Sequence, residues 1–247
     1  MSPRHLLIIA GLLFTGAVHA GCDEPPHANV NWRECDKRGA DLRGVDLRGA
    51  ILTRANLAGA DLREARLNGA DLYFADLQQS NLQNAQMADA KLHSAQLQQA
   101  KLDGSLLRNA RFDRAHLDNA VLKGAQLSGA RFYQSVLDGA DLSGADLSKA
   151  DLKQASLQHT VLTAAQLGQA SLLQANLEHA DLRRARLEKA RLEQADLQYT
   201  DLRQADLTRA SLVEAKLFQT RLDGAKLGGA MWVDRKRCRF DSITACQ

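Results

Sequence analysis

The stretch Ala140-Asp141-Leu142-Ser143-Gly144-Ala145-Asp146-Leu147-Ser148-Lys149 shows the pattern that runs through most of this chain. Leucine or a close substitute occupies every fifth residue from position 42 to position 227, and a small residue, usually alanine, stands two places before it. The substitutes for leucine are Met87, Phe112 and Phe132. The phase of this array never shifts, so we expect the repeat to determine the fold.

A period of five residues does not suit either of the ordinary secondary structures. On an α-helix, five residues advance by about 500°, so successive leucines would drift by about 140° around the axis. On a plain strand, side chains alternate between faces, so an odd period would send successive leucines to opposite sides. We therefore predict an all-β solenoid that turns a corner once per repeat, in which each coil buries its apolar row against its neighbours.

The tandem unit Ala-(Asp/Asn)-Leu-X-X, as in residues 55–59 and 205–209, resembles the pentapeptide repeat family over about residues 40–230. The resemblance implies a right-handed quadrilateral β-helix with four repeats per coil and about 9–10 coils in total; we expect it to be capped at both ends. It also implies that the leucine and the small residue of each unit point inward. The core residues that we single out are Leu42, Leu142, Leu147, Phe112, Phe132, Ala140 and Ala145.

Residues 1–20 have the features of a secretory signal peptide. Arg4 is followed by an apolar run over residues 6–14, and Ala20 is the expected cleavage site. The run is shorter than the roughly 20 residues that span a membrane. Cys22 leaves a lipoprotein signal open as an alternative, although His19 fits such a signal poorly; lipidation would attach the protein to a membrane. We expect an exported bacterial protein, either periplasmic or secreted.

The four cysteines lie outside the repeat array, two before it and two after it. An even number of cysteines in an exported chain is typical of disulfides, and we predict the pairs Cys22–Cys35 and Cys238–Cys246. A metal site is the alternative, but cysteines at opposite ends of a rod cannot converge on one ion. The predicted domains are an N-terminal cap segment (residues 21–39), the solenoid (40–230) and a C-terminal cap with a disulfide loop (231–247).

A solenoid exposes the unpaired backbone and the apolar row of its first and last coils, and both must be covered. Trp32 and Trp232 continue the phase of the leucines at the two ends. We expect each tryptophan to cover one end of the core. The segment from Trp232 onward also resembles the C-terminal caps of exported bacterial pentapeptide repeat proteins.

Several outward-facing residues depart from the generic repeat. His159 and His179 are 20 residues apart, one predicted coil, and with Glu178 they form a weak candidate metal site; two solvated histidines are the favoured interpretation. Tyr199 continues their column. Gln78, Gln79, Gln98 and Gln99 form a predicted amide ladder. The exposed aromatic residues are Tyr73, Phe74 and Tyr133.

The composition and motifs argue against most biochemical activities. The net charge of +3 gives no strong field, and no phosphate loop, nucleophile elbow or Cys/His metal spacing is present. We predict a non-catalytic exported scaffold that binds a protein partner, without a cofactor and without nucleic acid, as a monomer or weak dimer. It would contact a membrane only if Cys22 were lipidated.

Two alternatives to a scaffold remain. Some members of the resembled family mimic duplex DNA and act on DNA gyrase, but that role needs a strongly negative rod. Three predicted columns of like charge speak against such a rod: Arg43 with Arg63, Arg111 with Arg131, and Arg183 with Arg203. An enzyme is the second alternative, and it would need a pocket that a filled solenoid does not offer.

Overall fold

The computed structural model describes residues 21–246, and β-structure in this part consists of single-residue bridges at every fifth position. The parallel bridges begin with Asn31↔Ile51 and end with Ser211↔Met231, and each joins residues 20 apart. Since the repeat is five residues long, this spacing places four repeats in each coil. The predicted signal peptide lies outside the described residues. Within residues 21–246, no helix has the length and apolar character needed to cross a bilayer.

Each repeat turns a corner by the same local mechanism, as residues 141–145 illustrate. The N–H of Ala145 donates to the carbonyl of Leu142 at 3.0 Å, which closes a tight turn. Gly144 has a φ of 65°, a backbone conformation that glycine adopts without steric cost. The Asp141 carboxylate accepts the N–H of Ser143 at 3.0 Å, the contact typical of an Asx turn. Aspartate before leucine is therefore a corner-forming residue.

The corners divide the solenoid into four faces, which we number by their central leucines in one coil. Face 1 contains Leu142, face 2 Leu147, face 3 Leu152 and face 4 Leu157. The corner that follows each face takes the same number. Residues 20 apart in sequence thus occupy the same face or corner in neighbouring coils.

The core is a continuous column of leucine, alanine and phenylalanine side chains. Leu142, Phe112, Phe132, Ala140 and Ala145 are fully buried. Leu147 and Leu42 are also buried. The rings of Phe112 and Phe132 stack in face 3 with centroids 4.7 Å apart. The interior of the solenoid is therefore filled by side chains rather than open to solvent.

Hydroxyl side chains replace alanine at some small-residue positions and are satisfied by backbone carbonyls. Ser80 Oγ donates to the carbonyl of Leu77 at 2.7 Å, three residues earlier across the corner. Thr200 Oγ1 donates to the carbonyl of Leu177, also at 2.7 Å but in the preceding coil. Because these buried hydroxyls are hydrogen-bonded, they avoid the cost of an unpaired polar group.

The N-terminal cap contains a disulfide and a buried tryptophan. Cys22 is bonded to Cys35, and Trp32 is fully buried against the first coil. Trp32 Nε1 donates to the carbonyl of Glu24 at 3.1 Å. The Lys37 ammonium lies 4.1 Å from the centre of the Trp32 ring and donates to the carbonyl of Cys22 at 2.6 Å. These contacts hold the cap segment over the apolar end of the rod.

The C-terminal cap is a loop that folds back on the last coil. Two antiparallel bridges, Met231↔Arg237 and Lys226↔Ile243, attach this loop to faces 3 and 2, and the Cys238–Cys246 disulfide closes it. Trp232 is only half-buried, so it covers the end less completely than Trp32 does.

Candidate interaction surfaces

A group of aromatic and charged side chains lies on corner 3 near the N-terminal end; we call Arg54, Tyr73, Phe74 and His93 the corner 3 cluster. The Tyr73 and His93 rings are 5.4 Å apart, and Phe74 meets His93 edge-on at 6.1 Å. The Arg54 guanidinium lies 5.8 Å from the centre of the Phe74 ring. Phe74 is 50% exposed, so this cluster presents an aromatic surface to solvent.

The repeat geometry brings this cluster together. Arg54 precedes Phe74 by 20 residues, and His93 follows Tyr73 by 20, so the side chains meet across neighbouring coils. Tyr73 and Phe74 were recognised from the sequence, whereas Arg54 and His93 were missed, although the same 20-residue spacing would have found them. Tyr133 lies three coils away from Tyr73 and makes no ring contact among the described residues.

A second aromatic surface lies on corner 4 near the C-terminal end; we call His159, His179, Tyr199 and Phe218 the corner 4 stack. The rings of His159 and His179 are parallel to within 3° at 4.9 Å, and Tyr199 stacks on His179 at 4.7 Å. Phe218 meets Tyr199 edge-on at 5.6 Å and is 57% exposed. Phe218 was missed because it follows Tyr199 by 19 residues rather than 20.

The candidate metal site within this stack lacks a set of converging ligands. Glu178 Oε1 lies 3.8 Å from His179 Nε2, and the two imidazole rings stack face to face. Among residues 21–246, no group of three or more His, Cys, Asp or Glu side chains is arranged to hold a metal ion. The two histidines therefore belong to an aromatic stack, and we do not propose a metal site there.

A ladder of side-chain hydrogen bonds runs along corner 3 in the C-terminal half of the rod. Gln134 donates to Gln154 at 3.0 Å, and the same contact repeats in the following coils at 2.9 and 2.8 Å. Arg114 begins the ladder, and Glu214 ends it with Arg235. Its members are Arg114, Gln134, Gln154, Gln174, Gln194, Glu214 and Arg235. This corner is thus a continuous polar edge.

The amide ladder that the sequence analysis predicts on corner 4 forms only in part. Gln79 donates to Gln99 at 3.4 Å, one coil away. Gln78, however, donates to Gln96 at 2.7 Å instead of pairing with Gln98. Gln96 lies at the start of face 4 in the next coil, and its side chain is within reach of Gln78, which explains the difference.

Four of the arginines at corner 1 are paired with aspartates rather than forming unbalanced columns of positive charge. Arg43 donates from Nε and Nη2 to Asp41 at 2.7 and 2.6 Å. These hydrogen bonds lower the pKa of the Asp41 carboxyl to about 2. Arg183 and Arg203 are held in the same way by Asp181 and Asp201. The two predicted like-charge columns at corner 1 are thus largely neutralised locally. In the third column, at the start of face 3, Arg131 pairs with Asp113, whereas Arg111 has no ion pair among the described residues.

The repeat that defines these faces and corners matches a known sequence family. A family model described as pentapeptide repeats matches in eight copies that together run from residue 33 to residue 224. The chain belongs to the pentapeptide repeat family. The predicted quadrilateral β-helix is thereby confirmed. Members of the pentapeptide repeat family are generally non-catalytic.

Solved pentapeptide repeat proteins share this fold. One of them is the crystal structure of HetL, a protein involved in heterocyst differentiation regulation in the cyanobacterium Nostoc sp. strain PCC 7120. The sequence of HetL is 32% identical to that of this chain. The match covers 85% of this chain and 92% of HetL, with a TM-score of 0.77. No curated protein matches the chain in sequence.

Two further solved structures match less well. QnrB1, a plasmid-mediated fluoroquinolone resistance protein, is 19% identical over 76% of this chain and 86% of that chain, with a TM-score of 0.41. Rfr23, a pentapeptide repeat protein from the cyanobacterium Cyanothece 51142, is 31% identical over 45% of this chain and 63% of that chain, with a TM-score of 0.32.

Proposed function

We propose that this pentapeptide repeat protein is an exported, non-catalytic scaffold that binds a protein partner on its outer surface. The observation that carries the proposal is the filled core: nearly all leucine and alanine positions along the rod are buried, and a few near its ends, such as Leu217 and Leu222, are half-buried. Polar and aromatic side chains consequently lie on an outer surface of short faces and corners, where a partner protein can contact them. Catalysis would instead need a cleft in which reacting groups converge.

The end caps support the exported part of the proposal. Both caps contain a disulfide, and the described residues contain no free cysteine. Disulfides persist in oxidising compartments and are rare in the cytosol. The apolar run in residues 6–14 is consistent with export.

The corner 3 cluster is the contact that we assign to the partner. Aromatic and arginine side chains are enriched among the residues that dominate binding energy at protein interfaces. Phe74 is half-exposed, and Arg54 and His93 hold its ring from two sides. The cluster therefore presents a largely preformed aromatic anchor, which reduces the entropy lost on binding.

The proposal is tested by capturing partners from the envelope fraction of the native host with the full chain. We expect a protein that binds the wild type to be lost with Phe74→Asp and retained with Ala164→Asp. Ala164 is a suitable control because it is exposed and occupies the equivalent turn position, with the same positive φ, on corner 1. Equal capture by both variants would overturn the assignment of corner 3, and no capture by wild type would contradict the scaffold function.

A further inference from the structure

A shallow groove on corner 1, near the C-terminal end, is lined mainly by arginine. Its lining residues are Thr163, Arg183, Arg184, Arg203 and Gln204, and its volume is about 290 Å³. Arg183 and Arg203 occupy the same corner position in neighbouring coils, which are spaced by about 4.8 Å. Three guanidinium groups therefore surround one small volume of solvent.

The salt bridges in this groove orient the guanidinium groups without using all of their donors. Arg183 pairs with Asp181 through Nε at 2.9 Å and Nη2 at 2.6 Å. Arg203 pairs with Asp201 through the same two nitrogens. In both pairs, Nη1 lies outside the contact. The aspartates thus fix two arginines in place, so less side-chain entropy would be lost when a ligand binds.

Arg184 supplies the charge that the aspartates do not balance. Its Nε donates to Gln204 Oε1 at 3.0 Å, which leaves both terminal nitrogens outside this bond. Among the ion pairs of residues 21–246, none includes Arg184. With Asp181 and Asp201 as the paired carboxylates, the three arginines leave the groove with an excess of one positive charge.

A second groove on the same corner provides an internal comparison. It is lined by Arg43, Gly44, Arg63 and Glu64, and its volume is about 310 Å³. Asp41 and Asp61 hold its two arginines in the same geometry. The position of Arg184 is occupied there by Gly44, and that of Gln204 by Glu64. By the same count, this groove has an excess of one negative charge.

We propose that the groove containing Arg184 binds a tetrahedral oxyanion of the phosphate class. Three arginines on two coils line one groove and keep terminal nitrogens outside their existing contacts, so they offer several donors to one ligand, which suits an anion with three or more acceptor oxygens better than a carboxylate. Arginine recognises phosphate through several directed hydrogen bonds as well as through charge. Inorganic phosphate and a phosphate monoester share this chemistry, and either can be the source of the bound group. The site goes beyond the scaffold function and does not depend on it.

The test is a calorimetric titration of the full chain with inorganic phosphate and with phenyl phosphate, at constant ionic strength maintained with chloride. We expect saturable binding at one site in the wild type. Arg184→Gln removes charged donors and Gln204→Glu adds the charge found in the second groove, so each should weaken binding by about 10- to 100-fold. Arg209→Gln, which removes an exposed arginine at the equivalent turn position on corner 2, outside the groove, should leave binding unchanged.

The outcomes separate the proposal from its alternatives. Tighter binding of phenyl phosphate than of inorganic phosphate would support a monoester as the natural ligand, and equal binding would support the free ion. Both results support the site if the two groove variants lose affinity. The proposal is overturned if the wild type shows no saturable binding of either probe, or if both groove variants bind as the wild type does.

Discussion

Leu106 and Leu107 are adjacent in sequence, yet the side chain of Leu107 is fully buried and that of Leu106 is 36% exposed. Leu107 is the central residue of its repeat on face 2, whereas Leu106 forms the bridge to Gln126 with its side chain outward. A shift of one residue along the sequence thus moves a side chain from the core of the solenoid to its surface.

This contrast gives a direct test of the packing. Leu107→Ala should lower the free energy of unfolding by about 2–5 kcal/mol, because it leaves a cavity in a filled core. Leu106→Ala removes the same atoms from a partly solvated site and should cost less than about 1 kcal/mol. Denaturant unfolding of both variants measures the difference, and equal losses would show that the inward phase of the repeat is wrong.

The stacked rings of Phe112 and Phe132 should stabilise each other beyond their separate burial. Their planes are parallel to within 1°. In a double-mutant cycle with Phe112→Leu and Phe132→Leu, we expect a coupling of about 0.5–1.5 kcal/mol. Leucine is the appropriate replacement because it occupies this position in most repeats. A coupling near zero would mean that the two rings contribute only as independent apolar residues.

Gly139 and Gly144 have similar backbone conformations but different surroundings. Both have positive φ, so alanine should be disfavoured at each by about 1 kcal/mol. A Cβ on Gly139 would lie 2.6 Å from Asn119 Oδ1, whereas nothing lies within 4 Å of one on Gly144. We therefore expect Gly139→Ala to lower the melting temperature more than Gly144→Ala. The reverse order in a thermal melt would contradict the packing of Asn119 over Gly139.

The paired aspartates should make the protein less stable in acid. Hydrogen bonds from Arg43 and Arg48 lower the pKa values of Asp41 and Asp46 to about 2, from the ordinary aspartate value of 3.8. A lowered folded-state pKa adds stability above the unfolded-state value, and this stability is lost as the pH falls toward 2. The melting temperature should fall between about pH 4 and pH 2, and the fall should be smaller in Asp41→Asn/Asp46→Asn. An identical fall in the variant would assign the acid effect to other groups.

The periodic part of the structure could be predicted because one physical constraint acts at each repeat. Only a corner every five residues keeps each leucine and each alanine on the inner side, so the burial of residues such as Leu142 and Ala145 follows from spacing alone. The position of Phe132 above Phe112 follows from the same regularity once four repeats form a coil.

The outward contacts could be predicted only in part. The period fixes where each side chain leaves the backbone, but it does not fix the position of the side chain's terminal atoms. Arg183 belongs to a 20-residue column with Arg203, yet it binds Asp181 two residues earlier. Gln78 donates to Gln96 rather than to Gln98 because a long, partly exposed side chain can adopt conformations that contact either neighbour. Phe218 occupies the turn position one residue before that of Tyr199, so its ring meets Tyr199 edge-on from the neighbouring column.

The central claim, an exported rod closed by two disulfides, is tested most directly by the intact mass of the protein from its native host, measured before and after reduction. We predict a chain that begins at Gly21 and whose mass before reduction is lower by four hydrogens, because Cys22–Cys35 and Cys238–Cys246 are both bonded. A full-length chain beginning at Met1 with four free thiols would contradict the account.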